Sequence, residues 1–83
     1  MIKLVVGEIE APEYIEDAIT LKHSSGVRAI NVSKKCQKVF VIDDRGEKSI
    51  TLPPHESIVI KKSIADRVYA SSKEVLIAGV SIY

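Results

Sequence analysis

Few side chains in this 83-residue chain are of types that catalyse or ligate, and their spacing limits what they can do. His23, His55 and Cys36 are the natural ligands for a transition metal, but no C-x-x-C or H-x-x-x-H spacing sets two of them on one element, so no metal site is expected. Cys36 lies between Lys35 and Lys38, and nearby ammonium groups favour a thiolate. An enzyme built around Cys36 and a histidine would therefore alkylate faster than an ordinary thiol; an unreactive loop cysteine is the simpler expectation. His23-Ser24-Ser25 puts a base beside two hydroxyls, yet hydrolases gather base, nucleophile and orienting carboxylate from distant segments. Asp43 and Asp44 form a carboxylate pair, but neighbours in a tight turn point apart and stay hydrated. Lys34, Lys35 and Lys38 offer cations to phosphates, although no aromatic residues are interleaved to stack on bases, and a solvated face is expected. Tyr14, Tyr69 and Tyr83 are scattered, with rings suited to interfaces or half-buried positions. No catalytic residue, cofactor-binding residue or metal ligand follows, and a non-enzymatic protein is expected.

The elements that would position these residues read as strands. Ile and Val recur in nearly every segment, and β-branched side chains favour a pleated surface over a helix. In 47–52, Ile50 and Leu52 alternate with Ser49 and Thr51, and in 57–62 Ile58 and Ile60 repeat the pattern. Between them Pro53 and Pro54 have no N–H for a ladder, so the paired strand must end and the chain must turn. Residues 37–42 and 47–52 flank Asp43-Asp44-Arg45-Gly46, the most secure hairpin, with Gly46 supplying a left-handed residue. A second hairpin is expected around residues 23–26, with Ile19 and Leu21 of 18–22 facing Ile30 and Val32 of 28–33. Further strands are expected at 2–6, ended by Gly7, at 67–70, and at 74–83 after the Ser71-Ser72-Lys73 turn. Residues 8–17 carry Glu8, Glu10, Glu13, Glu16 and Asp17 and read as an acidic arm or loop, with a short helical turn after Pro12. The expectation is a single all-β domain over 1–83, a small antiparallel β-sandwich or barrel of seven to eight short strands joined by hairpins.

Composition excludes several classes. Aromatics are 5% and tryptophan is absent, so the core must be aliphatic. A net charge of +1 supplies no long-range field for nucleic acid or an anionic membrane, and neither partner is expected. One cysteine forms no internal disulfide, which fits a reducing compartment. No apolar run reaches the roughly 20 residues of a membrane span, and the N-terminus lacks a signal-peptide pattern, so a soluble, unsecreted product is expected.

Two runs break the alternation. Val39, Phe40, Val41 and Ile42, and again Val75, Leu76, Ile77 and Ala78, are apolar on both faces. A two-layer sandwich in water requires the outer face to be covered as well, and a domain this small has little of its own to do it with. These eight residues are the candidate subunit interface of a homo-oligomer, a trimer as first guess; a bulge or closed barrel that redirects the side chains is the alternative. The acidic arm and the basic positions Lys34, Lys35, Lys38, Lys61 and Lys62 are complementary, within one subunit or between neighbours.

The stretches SITLPPHESIVIKK, ADRVYASS and VLIAGVSIY resemble a family of small proteins of marine tailed phages, the cyanophage-like myoviruses, over residues 17–83. In that family a strand leads into a Leu-Pro-Pro-Gly-Glu corner, an Ile-rich strand ending in Lys, an Asp before a Val-Tyr-Ala-Ser-Ser run, and a last apolar strand. His55 stands where the family often has Gly, a position at which positive φ suits Gly better. The resemblance implies a virion-associated structural, decoration or assembly role without catalysis, other virion proteins as further partners, and location in the virion or host cytoplasm. The alternative of a different class is a small-ligand or peptide-binding β-barrel, favoured by a cavity above roughly 300 Å³ lined from the two-sided strands.

Overall fold

The computed structural model describes residues 2–82. Among these residues seven strands form two antiparallel sheets: β1 (Ile2–Glu10), β2 (Gly26–Asn31), β3 (Gln37–Asp43), β4 (Gly46–Leu52), β5 (Ser57–Lys61), β6 (Arg67–Ala70) and β7 (Val75–Ile82). One sheet has the order β1-β7-β2-β5 and the other β4-β3-β6. Ile19 adds a single bridge to Val68 on the free side of β6. Counting that bridge as a short additional strand gives the jelly-roll arrangement, in which successive strands are dealt to opposite sheets except at the β3–β4 hairpin. The all-β class expected from the sequence is what the chain adopts. Tyr83, the end of the expected last strand, lies outside the described residues.

The expectation that hairpins join the strands holds at one place. β3 and β4 pair from Gln37↔Leu52 to Asp43↔Gly46, and the turn closes as its residues require: Asp43 Oδ1 accepts the Arg45 N–H at 2.8 Å, and Gly46 has φ +126°. The other connections cross between sheets. The double-proline corner carries β4 into β5 of the opposite sheet, so the two alternating runs on either side are not partners. The hairpin expected around residues 23–26 is also absent. Leu21, Lys22 and His23 stand consecutively at φ 55°, 55° and 58°, a left-handed turn that swings the chain from the Ile19 bridge on β6 into β2. β2 then pairs with β5 and β7, and not with residues 18–22. Gly79 makes this crossing possible: a Cβ there would sit 3.0 Å from both the Cβ and the carbonyl oxygen of Leu21, and 3.1 Å from Ser24 Oγ.

β1 runs beyond Gly7 to Glu10, with register shifts between Leu4 and Val6 and between Val6 and Ile9. Its chain then changes sheets in two residues. Ala11 N–H donates to the Val75 carbonyl at 2.9 Å, and the Pro12 carbonyl accepts from Ala70 N–H at 2.9 Å. A single 3-10 turn follows at Ile15–Asp17.

The core lies between the sheets and is aliphatic. Val27, Ala29, Val75 and Ile77 face Val39, Leu52, Val68 and Ala70, all nearly or fully buried. Of the two-sided runs, Val39, Val75 and Ile77 belong to this core and Ala78 is also buried. Phe40, Val41, Ile42 and Leu76 are half-buried. On the outer face of the smaller sheet, Phe40 stacks on its register partner Tyr69 with ring centroids 4.5 Å apart and planes 11° from parallel, so the chain covers part of that face itself.

Candidate functional site

The residues with chemical potential are dispersed, each engaged in local structure. His23 closes the left-handed crossing turn, Cys36 lies exposed in the loop before β3, and His55 is exposed at the proline corner. Among the described residues no group of three His, Cys, Asp or Glu side chains comes together as metal ligands would. The hydroxyls beside His23 are spent on the backbone: Ser24 Oγ donates to the Gly26 carbonyl at 2.9 Å, and Ser25 Oγ accepts the Ile82 N–H at 2.8 Å. Asp43 is held below the usual carboxylate range, first by the Arg45 N–H and then by Lys48, whose Nζ is 3.5 Å from Oδ2. Asp44, Lys34, Lys35 and Lys38 are exposed. Tyr14 is exposed, whereas Tyr69 is buried and donates its hydroxyl to Glu47 Oε2 at 2.8 Å; burial and that carboxylate push its pKa upward.

The acidic arm meets a different cation from those expected. Glu8 pairs with Arg28 at 3.0 Å, bridging β1 and β2 across β7. Lys62, one of the basic positions expected to complement the acidic arm, is buried. Its Nζ donates to the carbonyls of Ser24 (2.9 Å), Ser63 (3.2 Å) and Asp66 (3.0 Å), which uses all three ammonium hydrogens. Burial depresses its pKa, and Asp66 partly offsets this. The ammonium ties the 62–66 loop to the start of β2.

Sequence reasoning overlooked the polar hub at Asn31, whose one outward sign is an amide amid apolar neighbours. Asn31 is fully buried; Nδ2 donates to the carbonyls of Lys35 (2.7 Å) and Leu52 (2.9 Å), while Oδ1 accepts from Ser33 N–H (2.9 Å) and Ser33 Oγ (2.7 Å). Its main chain is bound too, accepting the His55 N–H at 2.7 Å and donating to the Glu56 carbonyl at 3.0 Å. One side chain thus fixes the end of β2, the loop into β3 and the proline corner.

Two surfaces remain as candidate sites. The first is the outer face of the larger sheet. Register places Ile2, Leu4, Arg28, Ile30, Val59, Leu76, Ala78, Val80 and Ile82 there together. Ile2, Leu4 and Val59 are 57%, 63% and 44% exposed, which is large for aliphatic side chains sharing one sheet face. β1 borders this face and is paired on one side alone, by β7. The second surface is a cleft of about 530 Å³ where the sheets part between β4 and β5, with Val39, Val41, Ile50 and Ile60 in its lining and Asp43, Lys48, Lys62 and Asp66 around them.

No protein-family model matches the chain, and no curated protein does either. Among solved structures it is similar to iron(II) HppE with the alternative substrate (S)-1-HPP, at 15% identity over 87% of this chain and 38% of that one, with a TM-score of 0.51. It is also similar to hydroxypropylphosphonic acid epoxidase from S. wedmorenis, at 16% identity, covering 90% of this chain and 40% of that one, TM-score 0.49. Drosophila melanogaster CENP-C bound to CAL1 is 12% identical over 98% of this chain and 59% of that one, TM-score 0.47. The chain spans about two fifths of the length of the epoxidase. At such identities the likeness concerns the fold alone.

Proposed function

We propose that this chain is a non-enzymatic assembly module, a virion structural or decoration protein that works as a homo-oligomer through its sheet surfaces. The observation that carries the reading is the outer face of the larger sheet. Ile2, Leu4 and Val59 stand exposed around the buried Ala78 and Val80, an apolar face of the kind another layer covers, and among the described residues no third layer of strands or helices is present. The charges on that face are compatible with self-association, because Arg28 and Glu8 are paired with each other and Lys61, which the register also turns there, lies on the edge strand β5 away from its centre. Leu76 and Ala78, apolar on the wrong side for a simple sandwich, fall on this face. So do Leu4 and Val59, which the reading of two-sided runs left out. The resemblance in the proline-corner and Val-Tyr-Ala-Ser-Ser segments supports a phage particle as the setting. Mass spectrometry of purified particles from the phage that encodes the chain is the test. The protein is expected in an amount stoichiometric with the structural subunits; its absence from washed particles, with abundance in the infected lysate, would contradict the virion role.

A further inference from the structure

We propose that the cleft between β4 and β5 is a docking site for an extended, uncharged, aliphatic peptide segment of another protein, taken up as an added strand. The walls of the cleft are strand edges. β4 is the outer strand of one sheet and β5 of the other, and each is paired on one side alone. No backbone hydrogen bond from a loop reaches residues 47–51 or 58–61 among the described residues. The pleat turns Ser49 and Lys61 toward the outer faces, opposite Phe40 and Gly26, so both meet the cleft with their main chains. Unpaired main-chain donors and acceptors are what an incoming strand uses.

The floor between these edges is Val39, Val41, Ile50 and Ile60, aliphatic throughout, with no ring to stack on a base or a planar ligand. Ile50 is 40% exposed although it lies on the inner face beside Val39, so the cleft leaves it room for a contact. At about 530 Å³ the volume falls within the roughly 300–1,000 Å³ typical of binding pockets. Of the charged residues in the lining, Lys61 turns toward the outer face and the others have partners. Asp43 accepts from Arg45 N–H and faces Lys48; Asp66 Oδ2 accepts from Ser63 N–H at 3.0 Å; Lys62 is saturated by three carbonyls. An occupant that carried charge into the floor would find no free counter-ion there. What the site can read is main-chain hydrogen bonding and alternate aliphatic side chains, the recognition chemistry of β-strand addition.

This inference does not depend on self-association and is tested separately from it. The probe is the acetylated, amidated peptide Ser-Val-Ser-Ile-Ser-Val-Ser, titrated into the full, isotope-labelled chain while backbone amides are followed by NMR. Saturable shifts and slowed amide exchange are expected in β4 and β5. The same peptide N-methylated at alternate residues is expected to bind about tenfold or more weakly, because it loses hydrogen bonds to the strand edge. Ile50→Lys, at a partly exposed position, is expected to weaken the unmodified peptide by a similar factor with the fold retained in its amide spectrum. Equal binding of the N-methylated peptide would overturn the proposal, as would the absence of saturation at millimolar peptide. Shifts of the same amides with protein concentration alone would assign the cleft to a second copy, and equal shifts with hexanol would make it a pocket for small apolar molecules; either result also overturns it.

Discussion

At the scale of single residues, the fold depends on a few polar side chains that are buried and fully bonded. Asn31 makes four side-chain hydrogen bonds at zero exposure, and Lys62 supplies three more to loop carbonyls. Such groups stabilise when every hydrogen bond is made and cost heavily when one is lost. His55 is the opposite case. It holds φ +64° at the corner, a conformation that costs an L-residue roughly 1–2 kcal/mol and a glycine nothing comparable. Its backbone N–H to Asn31 survives any substitution there except proline. His55→Gly is therefore expected to stabilise the protein by about 1 kcal/mol, read as a higher urea midpoint at unchanged slope; a lower midpoint would show the imidazole contributing something the geometry does not reveal. Lys62 gives a prediction in pH. Its folded pKa lies below 10.5, so the folded chain releases this proton before the unfolded chain does. A group of that sign contributes stability that is present above the unfolded value and lost as pH falls through the folded value. The stability of wild type relative to Lys62→Met should therefore rise as pH increases through the folded value toward 10.5, as followed by denaturant midpoints across an alkaline series. A flat difference would mean that burial does not penalise the ammonium.

At the scale of elements, alternation in the sequence identified where strands lie far better than which strands they join. Ile50 and Leu52 against Ser49 and Thr51 mark β4, and Asp43 to Gly46 mark its turn, because both signals are local. The partner of β2 depends on three successive left-handed residues, Leu21, Lys22 and His23, none of them Gly, so nothing in their types announces the crossing. The counterpart of that turn lies far along the chain, at Gly79. With a Cβ crowded by Leu21 and Ser24, Gly79→Ala is expected to cost about 1–3 kcal/mol through overpacking at the crossing. Thermal unfolding followed by circular dichroism measures this; a neutral substitution would mean that the turn shifts freely on β7. The double proline gave a corner correctly, but the pairing across it was not legible, because the same loss of N–H groups serves a hairpin end and a change of sheet equally well.

At the scale of the whole molecule, the surplus of apolar residues was visible in the sequence and its location was not. The runs at 39–42 and 75–78 are two-sided because jelly-roll topology places each in the middle of a sheet. β3 lies between β4 and β6, and the aromatic pair Phe40–Tyr69 covers part of its outer side. β7 lies between β1 and β2; Ala78 and Val80 on its outer side are buried, and the exposed apolar residues of that face stand on the edge strands β1 and β5, Leu4 and Val59 among them. Leu4 and Val59 joined that face only through register, which no single segment contains. The candidate cleft was still less legible, since it arises where two strands of different sheets fail to meet. A chain of this size buries only roughly 60% of its unfolded surface, so covering the exposed sheet face by association is its most direct route to added stability. Light scattering on the purified chain tests that claim most directly. A mass that is a multiple of 9.1 kDa is expected at micromolar concentration, three-fold as first expectation, reduced to 9.1 kDa with the fold intact in Leu4→Asp/Val59→Asp. A wild-type mass of 9.1 kDa across that concentration range would contradict it.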